Sequence, residues 1–233
     1  MCKFEVTKKS SQLIILQRIE IASSLLIKFR KIFGRYLFTN FLSKFFVSPS
    51  YVGRKYYEVM SKEFLTISNE IQKSDYKTFL SIGGGIGGLE VVINNNLGQK
   101  DFYFIERNFT SKKVVYGWGG LSNTEAYNNV EEQKLFLLKN NLNEKNIHIY
   151  DYDKDELPKL KFDIIISLFS LDYHYDFFIY KDYLKSVSTK NTKIIFDTIR
   201  SDYYKKVFRN VKILDVQNNT VHKSKRILCS DFI

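Results

Sequence analysis

Residues 79–89, FLSIGGGIGGL, contain the stretch that most constrains the fold. A short, mostly apolar run typical of a buried strand leads directly into five glycines within the six positions 83–88. Glycine permits a tight turn and the close approach of a ligand to the backbone. The first turn of a following helix offers N–H groups that lack partners within the helix. We therefore predict a strand–loop–helix unit whose glycine loop binds a ligand.

The glycine spacing fits two kinds of cofactor loop. Gly83, Gly85 and Gly88 satisfy the dinucleotide pattern G-x-G-x-x-G. With Gly87 as the third glycine, the loop instead satisfies the G-x-G-x-G pattern of S-adenosylmethionine (SAM) enzymes. Glu106 ends the next predicted strand, 19 residues beyond Gly87, where a carboxylate can accept both ribose hydroxyls. Either cofactor would use that acid, so these residues leave the choice open.

Short apolar runs alternate with helical stretches beyond the loop. This alternation predicts an α/β fold, a doubly wound Rossmann-like sheet that is mostly parallel and seven-stranded. Only residues 217–225 separate the last two strands, too few for a parallel crossover, so an antiparallel C-terminal hairpin is expected. The predicted strands are Thr78–Ile82, Asp101–Ile105, Ile147–Tyr150, Asp163–Leu168, Lys193–Asp197, Val211–Val216 and Arg226–Ser230.

The chain divides into two segments of different charge. Residues 1–74 are predicted to be a basic helical segment, and residues 75–233 the cofactor-binding domain. Of the net charge of +11, residues 1–62 carry +9 and the remainder +2. A uniformly basic nucleic-acid-binding protein would not show this asymmetry.

Three helices are predicted in the N-terminal segment. Apolar residues at helical spacing indicate an amphipathic helix over 11–33, ended by Gly34. Helical stretches follow over 35–46 and over about 51–72. In the last of these, Glu63 is the one charged residue on the apolar face.

Composition excludes several protein classes. Apolar residues make up 44% and charged residues 26%, which excludes wholesale disorder. Two cysteines exclude a disulfide scaffold and suit a reducing compartment. Charges interrupt every apolar run before the roughly 18 residues of a membrane span. We expect a cytoplasmic protein whose N-terminal helices pack on the core and expose a solvated lysine face. A cap over the substrate crevice and a peripheral contact of residues 1–46 with the inner membrane surface both stay open, and the two are compatible.

The strand series is similar to that of the class I SAM-dependent methyltransferase family over residues 75–233. The resemblance rests on the glycine loop, Glu106, Asp151 at the end of the third strand, the Phe162-Asp163 strand and the C-terminal hairpin together. The family often has an acid two positions before the first glycine, where this chain has Ser81. That departure leaves open how the amino group of the methionine moiety is held.

The resemblance implies SAM as the cofactor and gives each matching residue a role. Gly83, Gly85 and Gly87 would border the methionine and ribose portions. Glu106 would bind the ribose hydroxyls, and Asp151 with Tyr152 would lie beside the adenine. Asp163 is expected to support the fourth strand and takes no part in chemistry.

Residues 167–183 also resemble bacterial small-molecule O-methyltransferases assigned to sugars, which carry a similar S-x-x-S-x-x-(F/Y)-H-Y signature. Strand ends form the ligand crevice in open α/β sheets, so Asp172, Tyr173 and His174 are the candidate catalytic residues. His174 is the candidate general base because imidazole titrates near neutral pH. A histidine that only bonds to the loop backbone is an equal alternative. The three histidines lack metal-ligand spacing, so no metal site is expected.

Aromatic and amide residues after the second strand suggest a substrate wall, because flat rings stack on sugars and on other rings. A packed loop anchor is an equal interpretation. The candidate substrate residues are Trp118, Tyr127, Asn128 and Tyr175.

Three hypotheses of function follow. The first is a SAM-dependent methyltransferase acting on a small-molecule hydroxyl, such as that of a sugar or a lipid-linked glycan. The second is an RNA methyltransferase, disfavoured by the weak charge of residues 63–233. The third is a non-catalytic nucleotide-cofactor-binding protein of the same fold, which Ser81 favours and the intact glycine loop opposes.

Overall fold

A seven-stranded sheet forms the centre of the chain in the computed structural model, which describes residues 3–115, 125–216 and 223–233. The strand order is β3-β2-β1-β4-β5-β7-β6, with only β7 antiparallel to its neighbours. The predicted sheet and its C-terminal hairpin are therefore confirmed. The strands are β1 Thr78–Ile82, β2 Asp101–Glu106, β3 Ile147–Asp151, β4 Ile164–Ser167, β5 Lys193–Thr198, β6 Phe208–Val216 and β7 Lys225–Phe232.

Two hydrophobic cores cover the two faces of the sheet. Side chains alternate between faces along a strand, so Phe79 joins one core and Leu80 the other. The N-terminal helices, α5 and α6 pack in the first core, and α7 packs in the second. The helices are α1 Lys8–Gln17, α2 Ser24–Leu37, α3 Ser43–Phe45, α4 Pro49–Ile71, α5 Gly88–Leu97, α6 Val130–Lys139 and α7 Phe177–Val187.

The helix predicted over residues 11–33 is wrong as a single element. The chain leaves helical geometry at Arg18 (φ −136°, ψ 90°), passes through a 3₁₀ turn and restarts as α2, where the Ser23 side chain caps the new N-terminus. The break lets the Arg18 guanidinium lie 3.0 Å from Glu63. Phe33, at the end of the predicted helix, lies on α2 and is 51% exposed.

The other two predicted helices agree better with the structure. Gly34 departs from helical geometry with φ 77°, yet the chain continues beyond this kink through a π-type turn into α3. The last helix, predicted from residue 51, begins at Pro49, whose fixed φ and missing N–H suit a first helical position.

A buried ion network joins the N-terminal helices to the sheet. Arg226 on β7 is fully buried, and its guanidinium binds both carboxylate oxygens of Asp197 at 2.9 and 3.0 Å. It also contacts Glu63 and donates to Thr66 Oγ1 at 2.6 Å, both on α4. This network accounts for the charge that interrupts the apolar face of α4.

Asp163 also has the structural role expected of it. Its Oδ2 accepts hydrogen bonds from the backbone N–H groups of Lys77 and Thr78, at 2.8 and 2.9 Å, and so joins the start of β4 to β1. As for membranes, no helix within the described residues is both long and apolar enough to cross a bilayer.

Candidate functional site

A cavity opens at the carboxyl ends of β1, β2 and β4. The strand order reverses between β1 and β4, which is where open α/β sheets form their ligand crevice. The glycine loop, the loops after β2 and β4, and side chains of α1 and α4 line it.

The glycine loop packs too tightly for side chains. Gly83 and Gly85 have φ of 62° and 68°, in the left-handed region that favours glycine. A methyl group on Gly83 would come within 2.0 Å of Ser170 Oγ, and one on Gly85 within 2.4 Å of the Gln17 side chain. Both glycines line the cavity, as predicted for a cofactor loop.

The N-terminus of α5 is less open than the sequence suggested. Tyr56 of α4 accepts a hydrogen bond from the Gly88 N–H at 3.1 Å, and its ring leaves no room for a side chain there. Gly87 packs against Leu137 and is not among the described residues that line the cavity. The chain itself therefore covers the first helical amide.

Glu106 lies where the sequence placed it, at the end of β2 and facing the cavity. Its Oε1 accepts the Gly85 N–H at 2.9 Å. Burial raises the pKa of this carboxyl well above its usual range, an effect that the neighbouring Asn128 opposes. Asn128 also lines the cavity and donates to the Gly85 carbonyl at 3.0 Å, so it supports the loop directly.

Sequence reasoning missed a second buried acid in the cavity, Glu90 in the first turn of α5. It is 2% exposed, and its Oε2 has no hydrogen-bond partner within the described part of the chain. Burial raises its pKa to about 7, partly opposed by the Ser81 hydroxyl, which lies nearby but outside hydrogen-bond geometry. The available signal was an acid flanked by the apolar residues of GLEVVI.

The loop after β4 carries His174 and Tyr175 into the cavity lining. The His174 N–H donates to the Ser170 carbonyl at 2.8 Å, and the Tyr175 hydroxyl donates to the Glu125 carbonyl. Burial lowers the pKa of His174 to about 4, so its imidazole is neutral at physiological pH. A neutral ring nitrogen can accept a proton.

The other two predicted catalytic residues do not line the cavity. Asp172 is buried and accepts hydrogen bonds from Arg200 Nε at 2.9 Å and from the Thr198 hydroxyl at 2.5 Å. The Tyr173 ring lies edge-on to His174, with centroids 4.5 Å apart. Asp172 thus anchors the His174 loop to the end of β5.

The predicted adenine residues also lie outside the cavity lining. The Asp151 carboxylate accepts the Asp153 N–H at 3.2 Å, within the turn that follows β3. The Tyr152 ring lies under the guanidinium of Arg107, 5.1 Å away, and Arg107 itself lines the cavity. Tyr152 therefore contacts Arg107, which lines the cavity, but does not line the cavity itself.

The predicted substrate wall is only partly described. Tyr127 lines the cavity, accepts the Val115 N–H at 2.9 Å and donates to the Glu125 carboxylate at 2.9 Å. Together with Asn128 and Tyr175, it forms one side of the cavity. Trp118 lies outside the described residues.

Comparison with known proteins rests on solved structures. No family model matches the sequence, and no curated protein matches it. The SAM-dependent methyltransferase SibL superposes with a TM-score of 0.53 at 10% identity, over 78% of this chain and 57% of SibL. Mitomycin 7-O-methyltransferase MmcR gives 0.49 at 12% identity, over 78% of this chain and 56% of that one. A candidate O-methyltransferase from Nostoc punctiforme gives 0.47 at 9% identity, over 77% and 61%.

The chain spans less than two thirds of the length of each of these structures. The similarity to SibL concerns the fold alone. The chain thus has a Rossmann-like α/β fold that resembles the fold of this SAM-dependent methyltransferase.

Proposed function

We propose that this protein is a SAM-dependent methyltransferase that acts on a hydroxyl group of a small molecule, such as a sugar or a glycan. The observation that carries the proposal is the cavity at the glycine loop. Glu106 faces this cavity, and Tyr56 covers the N-terminus of the helix that follows the loop. The proposal therefore rests on the fold and on the chemistry of this cavity.

The cavity suits SAM better than a dinucleotide. A dinucleotide places its pyrophosphate on the N-terminus of the helix after the glycine loop. Here Tyr56 takes the Gly88 amide, and the Glu90 carboxylate in the same helical turn would repel phosphate. SAM lacks a pyrophosphate and carries cationic sulfonium and ammonium groups, which two buried carboxylates would attract.

The described residues fit the parts of this cofactor. Gly83 and Gly85 present bare backbone to it, and Glu106 would accept its ribose hydroxyls. When bound, SAM supplies an electrophilic methyl group, so the protein's main task is alignment. His174 would take the proton that the acceptor hydroxyl loses, and Asp172 would hold the His174 loop in place.

The N-terminal segment would close the cavity towards the acceptor. Gln17 and Arg18 at the end of α1, and Tyr56 and Met60 on α4, all line the cavity. Arg18 lies over the Phe169 ring of the loop after β4, 4.5 Å from its centroid. We propose that residues 1–74 act as this cap and that residues 75–233 bind the cofactor.

Thermal unfolding with SAM, S-adenosylhomocysteine, NAD and FAD in parallel tests the cofactor. A ligand at about 100 times its dissociation constant adds about 2.7 kcal/mol and raises the unfolding midpoint by roughly 5–10 °C at this size. We expect that shift with SAM and S-adenosylhomocysteine only. A shift with NAD or FAD alone would reject the proposal, as would no shift with any of the four ligands.

We also propose that residues 1–46 dock on an anionic membrane. Residues 24–46 hold five basic and no acidic side chains, and Ile32 and Phe45 are 72% and 59% exposed. Exposed apolar side chains among basic ones are typical of interfacial helices. The exposed large apolar side chains of this segment are Leu25, Ile32, Phe33, Tyr36, Leu37, Phe41, Phe45 and Phe46.

Co-sedimentation with lipid vesicles tests this docking. We expect the protein to pellet with phosphatidylglycerol vesicles and, at moderate salt, not with phosphatidylcholine. Replacing both Phe41 and Phe45 with serine should weaken binding at least ~10-fold, since each buried aromatic contributes about 1.5–3 kcal/mol. Leu65→Ser, which changes a 69% exposed residue on α4, is the matched control. Equal pelleting of the double variant and the control would contradict the proposal.

A further inference from the structure

We propose that Glu90, together with Ser81, binds the ammonium group of the methionine moiety of SAM. This inference rests on the proposed function, because it names the residues that hold one end of the same cofactor. The sequence leaves open which residue holds the ammonium group, because Ser81 stands where the family often has an acid. In this chain the acid would come from helix α5 instead of strand β1.

Ser81 and Glu90 meet on the same side of the glycine loop. A methyl group built on Gly84 would lie 2.2 Å from Ser81 Oγ and 3.2 Å from Glu90 Oε1, so both side chains converge at this glycine. Both residues line the cavity and are almost fully buried, at 3% and 2% exposure. An acid on α5 can therefore reach the region beside position 81.

Both side chains have unused hydrogen-bonding capacity. Among the described residues, neither Ser81 Oγ nor Glu90 Oε2 has a hydrogen-bond partner. Buried polar groups nearly always have partners, and an orphan is expensive to maintain. Two unpaired acceptors that line one cavity indicate a ligand carrying hydrogen-bond donors.

Glu90 also differs from the buried acids around it. Asp197 pairs with Arg226, Asp172 pairs with Arg200, and Glu106 accepts a backbone N–H. No ion pair is found for Glu90 within the described ranges, which include all of the cavity-lining side chains named above. Charged side chains are almost never fully buried without a partner. A cationic group on the ligand would supply the missing charge.

An ammonium group meets both requirements. It carries a positive charge and three N–H donors, and a carboxylate with a hydroxyl offers matching acceptors. A phosphate or carboxylate at the same point would be repelled by Glu90. The cofactor's other polar groups, the ribose hydroxyls, belong with Glu106 on the neighbouring strand β2.

The affinity for the ligand should depend on the protonation state of Glu90. Because the pKa of Glu90 is raised to about 7, it is partly protonated at neutral pH, and binding of an ammonium group favours its ionised form. Affinity for an ammonium-bearing ligand should therefore rise with pH through about 7. Tyr56 on α4 and Glu106 on β2 interact electrostatically with Glu90. The other charged and titratable groups that line the same cavity are Arg18, Arg107, Glu125, Tyr127, His174, Tyr175 and Tyr180.

Two ligands separate the contribution of Glu90 from that of Glu106. S-adenosylhomocysteine carries the amino-acid end, whereas 5′-methylthioadenosine has the same adenine, ribose and thioether without it. Glu106, which would face the ribose, should affect both ligands alike. The difference between them reports on the amino-acid end, and the ammonium is the group of that end that the Glu90 carboxylate would attract.

The experiment is titration calorimetry of both ligands at pH 8 with the full chain. We expect Glu90→Gln to weaken S-adenosylhomocysteine about 10- to 100-fold and 5′-methylthioadenosine less than twofold, since a charge-assisted hydrogen bond is lost. Ser81→Ala should weaken S-adenosylhomocysteine by about 2- to 10-fold in the same selective way. Glu132→Gln on α6, another buried glutamate, is the matched control and should change neither affinity.

The pattern of results distinguishes the ways in which the idea can fail. Equal weakening of both ligands by Glu90→Gln would mean a structural role and would overturn the inference, as would no weakening of either. Wild-type protein that binds neither ligand would overturn the proposed function and this inference with it. Recovery of S-adenosylhomocysteine binding when Ser81→Glu is added to Glu90→Ala would support the inference independently of any loss.

Discussion

Replacing Arg226 with methionine is expected to lower the free energy of unfolding by about 3–5 kcal/mol at pH 8, because the change leaves the buried Asp197 carboxylate without its paired cation and removes one of the two cations beside Glu63. Arg226 is fully buried and binds Asp197 on β5 and Glu63 on α4. Burial raises the pKa of Asp197, and Arg226 opposes that rise. Burial would likewise raise the pKa of Glu63, but Arg18 and Arg226 together hold it below its usual value.

The pH dependence of this loss has a definite sign. In the wild type, the depressed pKa of Glu63 gives stability that is present above the unfolded-state pKa and is lost as pH falls through the folded-state pKa. Without Arg226, the pKa of Asp197 should rise further, so this carboxyl should take up a proton on folding, whereas Glu63 keeps Arg18 as its partner. The destabilisation of Arg226→Met should therefore be smaller at pH 5 than at pH 8.

Urea unfolding at the two pH values measures both effects. The matched control is Lys205→Met, which removes an exposed cation paired with Asp202 and should change stability by less than about 0.5 kcal/mol. A loss below about 1 kcal/mol for Arg226→Met at pH 8 would show that the network does not hold the N-terminal helices to the sheet.

Replacing His174 with alanine is expected to lower the rate of methyl transfer to a hydroxyl acceptor by about 10²- to 10⁴-fold, the usual contribution of a positioned general base. His174 lines the cavity on a loop that the Asp172–Arg200 pair fixes to the end of β5. The imidazole is buried and neutral, so it can accept the hydroxyl proton when the methyl group transfers.

The low pKa of His174 sets the expected pH profile. With a pKa of about 4, the imidazole stays unprotonated above pH 5, so activity that depends on it should be lost only as pH falls towards 4. Release of S-adenosylhomocysteine, followed with an acceptor from a screen of hydroxyl compounds, measures the rate. His148→Ala is the matched control because that ring stacks on Tyr103 in the sheet. Unchanged activity of His174→Ala at every pH would remove His174 as the base.

The sheet was predictable because its signals are local. The alternation of apolar strands with helices and the glycine loop each lie within a short window, and β1, β2 and β5 match their predicted bounds to within one residue. The short connection before β7 excluded a parallel crossover and predicted the hairpin correctly. Glu106 followed from the same reasoning, since the end of a strand next to the glycine loop must face the crevice.

The N-terminal helices were predicted less well because their geometry depends on distant partners. Periodicity predicted one helix over residues 11–33. It carries no information about the contact between Arg18 and Glu63, 45 residues apart, which accompanies the break in the helix. For the same reason, Glu63 looked like an interruption of an apolar face. Its second partner, Arg226, lies on the last strand, and periodicity carries no information about such pairs.

The α/β fold, the position of the crevice and the Glu106 carboxylate could be predicted from the chain alone, because strand and loop patterns report on burial within a few residues. That Tyr56 covers the Gly88 amide and that Glu90 faces the cavity beside Ser81 could not be predicted in this way. Those facts depend on how α4 packs against α5 and on how both lie against the ends of the sheet. Packing between distant segments decides which buried acids pair with a basic residue of the chain and which can pair with a cationic group of a ligand.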